Sequence, residues 1–217
     1  MNEVLKPKAK LPTLKWKPAP LGRRERLMRW FNERNEDIEM RQAYPDFEFR
    51  LEVPKGVSLE PVLPVSPFNK GVAVGDIRTM DPVLFRVMPW AQPTSVAVIK
   101  EWSTDSFLVA PFSPYAEPAT KTELLLKRQD LEGVLCLWNT RTFSRSIIER
   151  SWKSNSLTEQ EQEDVWEVFR HATTGVELSD RLLAQVGCPI IHPRDPRLKY
   201  QEEQTKLFSQ VLLVDSR

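Results

Sequence analysis

A mainly β protein with helices, built on a small barrel core, is what the sequence predicts, on three observations. Short apolar runs recur between residues 71 and 150, punctuated by Pro, Ser, Thr and Asp, the spacing of a small all-β barrel or sheet. The runs SVAVI (95–99) and FLVAPF (107–112) show no polar alternation, so both faces of these strands are expected to be covered. Helix signals then cluster on either side of this region, at 23–44 and from 157 onward.

The elements follow in order. Residues 1–22 are rich in Lys and carry four prolines, which forbid regular helix and favour extended chain. The first 30 residues hold nine Lys/Arg against two Glu, a balance of +7. The net charge of the whole chain is +1, which leaves −6 for the rest. A basic arm on a near-neutral or acidic body is the expectation. Lys15, Lys17, Arg23 and Arg24 are its candidate contacts to RNA or an acidic partner. Residues 23–44 read as a helix, with Leu27, Trp30, Phe31, Arg34 and Ile38 near one face. FEFRLEV (47–53) alternates as a half-buried strand, and a Pro-rich linker runs to residue 70. In the β region, Val96, Val98, Leu108, Val109, Leu135 and Leu137 are the expected core.

After residue 157, Thr158 and Glu161 form a capping box, and Gly175 ends the helix. A short helix is expected from Ser179 to Gly187. A last one runs from about residue 197 to 213, with Leu198, Leu207, Phe208, Val211 and Leu212 as its apolar set. The domain reading is therefore a basic arm (1–22), a helix, strand and linker (23–70), a barrel with its closing helix (71–173) and a helical extension (174–217).

Several chemistries are set aside by the residues. No run reaches the 18 or more apolar residues of a membrane span, and the Lys-rich start lacks the apolar stretch of a secretory signal. Two cysteines, Cys136 and Cys188, make no disulfide framework, and a cytoplasmic location is expected. His171 and His192 are not spaced as metal ligands, and no CxxC or HxxxH occurs. With seven glycines and no phosphate-loop pattern, no nucleotide cofactor is expected.

Gly75-Asp76-Ile77, the Pro93-to-Ile99 strand, Pro111-Phe112-Ser113, Gly133-Val134-Leu135, Thr140-Arg141-Thr142 and the helix opening at Leu157 stand in a fixed order. That order, over roughly residues 72–172, resembles the MazF/PemK-like toxin family. The resemblance implies an SH3-like barrel and metal-independent RNA cleavage within a toxin–antitoxin system. In that chemistry the ribose 2′-hydroxyl attacks the neighbouring phosphate, which calls for a base, an acid and cations. The positions where many members hold Arg and Asp are Cys136 and Trp138 here, and Gln92 replaces a further Arg. Ser113 and Arg141 are the catalytic-type residues that the resemblance retains. Ser113 would orient a phosphate and Arg141 would pair with one; the competing reading gives them a turn cap and a loop brace.

Trp138 and Trp152, beside Arg145, Arg150 and Lys153, form the expected surface for single-stranded RNA or for a protein partner. Three functions stay open: a non-catalytic relative that binds RNA or protein, an active endoribonuclease, or a structural interaction protein. A protein partner held through the arm and the C-terminal helices, and a homodimer, belong to the same set of expectations.

Overall fold

The computed structural model describes residues 21–43, 71–80 and 95–213. The predicted strand at 47–53, the run at 84–90, Gln92 and the arm residues Lys15 and Lys17 lie outside them, as do the side chains of Arg150 and Trp152.

Helix α1 (Leu21–Ala43) comes first. Its Leu27, Trp30, Phe31, Arg34 and Ile38 recur at helical spacing and face inward, with Trp30 and Arg34 buried and the other three half-buried. Seven strands follow: β1 (Asp76–Thr79), β2 (Ser95–Ser103), β3 (Ser106–Pro111), β4 (Glu123–Arg128), β5 (Leu131–Cys136), β6 (Arg141–Ser144) and β7 (Trp152–Ser156). Helix α2 (Arg145–Arg150) joins β6 to β7. Beyond β7 come α3 (Glu159–Thr174), α4 (Asp180–Leu183) and α5 (Pro196–Leu213). No helix among the described residues is long and apolar enough to cross a membrane.

The strands form two antiparallel ladders, one in the order β6-β3-β2-β1-β7 and the other a β4-β5 hairpin. Among the described residues they do not close into the expected continuous barrel. The physical reason lies at two points. β3 ends on Pro111, which has no N–H to donate to a ladder, so that Phe112 joins Leu135 by one isolated bridge. Next, a 3₁₀ turn at Leu137–Asn139 separates β5 from β6, which sends two sequential strands into different sheets. The architecture is mixed α/β.

The absent alternation in β2 and β3 has its counterpart in two cores. Ala97, Ile99, Leu108 and Ala110 face one cluster with Leu124, Leu135, Leu137, Val165 and Val168. Val96, Val98, Phe107 and Val109 face the other, with Phe143, Ile147, Ile148 and Phe208. The capping box of α3 forms with both of its bonds, and Gly175 ends the helix at φ 73°, a left-handed value that suits glycine.

Two expectations about the C-terminal helices are corrected. α4 is a single turn, and Gly187, read as a helix stop, instead lies against backbone. A β-carbon there would sit 2.5 Å from the Pro118 carbonyl oxygen and the Thr120 nitrogen. α5 does not bury Leu198 or Leu207, which are exposed; it buries Arg197, Tyr200 and Phe208. These three share the inward face at helical spacing.

Candidate functional site

β4 and β5 are paired so that Glu123 stands opposite Cys136. This register brings a carboxylate and a thiol to the end of the hairpin that the 3₁₀ turn then covers. The turn carries Trp138, whose indole N–H donates to Glu123 Oε1 at 2.8 Å. The Ala119 N–H donates to Glu123 Oε2 at 2.5 Å. Glu123 is fully buried. Burial pushes its carboxyl up to about 7, against the pull of the Trp138, Ala119 and Thr120 N–H groups and the Arg197 charge.

α5 completes the cluster. Its Tyr200 is fully buried, with its hydroxyl 3.0 Å from Ser113 Oγ and 3.9 Å from Cys136 Sγ. Ser113 Oγ also accepts from the Tyr115 N–H at 3.1 Å, so it braces the turn that follows β3. Burial raises the Cys136 thiol well above its ordinary value, and the neighbouring Glu123 charge adds to this. Burial raises the Tyr200 phenol too, with Cys136 and Glu123 acting in the same direction. Both groups are therefore neutral around pH 7.

α1 closes the junction from the other side. Trp30 packs edge-on against Tyr115 and Tyr200, at centroid distances of 5.6 and 5.2 Å. Arg34 donates to the Tyr115 hydroxyl at 3.0 Å and pairs with Glu203 of α5. Arg197 extends the buried polar network to the Ala119 and Cys188 carbonyls.

The remaining candidates are dispersed. Arg141 reaches the Thr140 carbonyl at 3.3 Å and Ser209 of α5 at 3.4 Å. Arg145 donates to the Thr104 carbonyl and to Glu101, with its guanidinium 4.7 Å from the centroid of the Phe107 ring. Lys153 pairs with Asp76 at 2.6 Å. Arg23 is buried against the Gly187 carbonyl, whereas Arg24 is exposed.

The structure does not gather Trp138, Arg145 and Lys153 into one surface, because β6 and β7 occupy opposite edges of the larger sheet and Trp138 turns inward to Glu123. It does bring Ser113, Cys136 and Trp138 together around two residues that the sequence reading missed, Glu123 and Tyr200. The available signal for Glu123 was a lone carboxylate heading the apolar strand ELLLKR. For Tyr200 it was helical spacing from Arg197 and to Phe208.

No protein-family model matches the chain, and no curated protein matches it. Solved structures with some likeness include a mycobacterial endoribonuclease in complex with its cognate antitoxin. The TM-score is 0.39 at 10% identity, covering 50% of this chain and 100% of that one. A second is a mycobacterial endoribonuclease with a TM-score of 0.38 at 11% identity, covering 50% of this chain and 95% of that one. Likeness at that level carries no argument about activity.

Proposed function

We propose that this chain is a toxin-like protein that does not cut RNA and acts by binding RNA or a protein partner. One observation carries the reading: the Tyr200 phenol of α5 fills the space between Ser113 and Cys136, inside a junction that α1 also covers. RNA cleavage through the 2′-hydroxyl needs a base, an acid and a cation in contact with the phosphate. Cys136 supplies no cation and Trp138 no proton acceptor. Ser113 is engaged by Tyr200 and the Tyr115 N–H. Glu123 titrates in the right range but is sealed from solvent.

Purified protein incubated with single-stranded RNA should leave it intact under conditions where an active toxin digests it. Loss of one transition-state cation removes about 10²–10³ in rate, and loss of the acid/base partner removes about 10²–10⁴. Metal-independent cleavage that disappears in Ser113→Ala or Arg141→Ala would overturn the proposal.

A further inference from the structure

The far end of β2 carries an aromatic and cationic face that the buried junction does not use. Trp102 is 62% exposed and Trp166, on α3, is 38% exposed. Most indoles in a protein are highly buried, so two open to solvent on adjoining elements need a reason. Irregular register at Val98/Lys100 and Glu101/Ser103 re-aims the end of β2. Lys100 Nζ lies 5.6 Å from the Trp102 centroid and 5.8 Å from that of Trp166. Trp166 is in turn stacked on Phe169 at 5.4 Å, and Phe169 packs against the core. The two rings are held in place before any ligand arrives.

The charges select the ligand. The nearby carboxylates are engaged: Glu101 by Arg145, Asp164 by Arg181, Glu163 by Gln160 and Glu167 by the Ser179 N–H. Among the described residues Lys100 has no carboxylate partner. Nor does Arg170, one helical turn beyond Trp166. Flat apolar rings beside unneutralised cations match a chain of flat bases on a polyanionic backbone. An apolar peptide would cover the rings and leave Lys100 without a counter-charge.

We propose that the Trp102–Lys100–Trp166 face binds single-stranded nucleic acid, bases stacking on the indoles and phosphates pairing with Lys100 and Arg170. This rests on the reading that the chain acts by binding, and it assigns the surface.

The test is fluorescence anisotropy of labelled single-stranded RNA, single-stranded DNA and duplex DNA, each about ten nucleotides long, titrated with the full chain. Both single strands should bind and the duplex should bind more weakly. Selective binding of the RNA would add a 2′-hydroxyl contact to the same face. Trp102→Ala, at an exposed position, should weaken single-strand binding by about ten-fold, and Lys100→Ala should lower the salt slope by about one. Unchanged single-strand affinity in Trp102→Ala overturns the assignment. So does the absence of single-strand binding, including the case where only a protein partner occupies the face. The DNA strand, which has no 2′-hydroxyl, reports binding independently of any cleavage. Cut RNA with Trp102-dependent DNA binding would sink the non-catalytic reading alone, whereas intact RNA without binding would sink this one alone.

Discussion

Trp30→Ala should lower stability by about 3–5 kcal/mol, the usual cost of truncating a large aromatic in a packed core, read as a drop in the urea midpoint. Trp30 is fully buried and is the point at which α1, the turn after β3 and α5 meet. Its ring contacts Phe31 at 5.1 Å as well as Tyr115 and Tyr200. Removing it opens a cavity between three elements that have no other large apolar side chain in common. A companion substitution separates packing from hydrogen bonding. The Trp30 indole nitrogen is buried with no acceptor, and an unmet buried donor costs about 1–3 kcal/mol. Trp30→Phe keeps an edge-on ring and removes that donor, so it should cost clearly less than the alanine change. An alanine variant within about 1 kcal/mol of the parent would show that α1 is not seated on the junction.

Glu123 should make stability fall as pH rises. Its folded-state value, about 7, stands above the ordinary 4.5. A carboxyl raised in this way favours the folded state in its protonated form. The contribution is fully present below the ordinary value and is lost as pH climbs through the folded one. The difference corresponds to about 3 kcal/mol, spread between about pH 4.5 and pH 7. In Glu123→Gln this part of the pH dependence should vanish. The absolute stability of the variant is a poorer guide, because Ala119 and Trp138 both present N–H groups and a glutamine amide can accept through only one of its two ends. Urea midpoints of both proteins across this range give the slope directly. Parallel pH profiles for the two would contradict the assignment.

What the sequence discloses and what it hides divide along physical lines. Local signals were readable. The uninterrupted apolar runs of β2 and β3 correspond to strands covered on both faces, the Thr158/Glu161 pair to a formed capping box, and Trp30 with Phe31 to the seated side of α1. Strand order was not readable. Nothing near residues 138–153 says that β6 and β7 lie at opposite edges of one sheet, so a cationic turn in sequence became three separate sets of contacts. The buried polar cluster was hidden for a related reason. Glu123 and Tyr200 are 77 positions apart in the chain, and only the docking of α5 makes them neighbours. Leucines drew the eye on α5, yet the inward face carries Arg197 and Tyr200. Their polar ends are satisfied by carbonyls and hydroxyls from other elements, which no periodicity count on one helix can show.

The central claim is that the strand end carrying Cys136 is sealed under α1 and α5. Thiol labelling of a Cys188→Ser variant tests it most directly, because Cys136 is then the one remaining cysteine of the chain. Cys136 is 2% exposed, so native protein should label only as fast as the whole molecule unfolds, with the same urea dependence. Labelling in the absence of urea at the rate of a free thiol, with α1 and α5 still folded by hydrogen exchange, would contradict the claim.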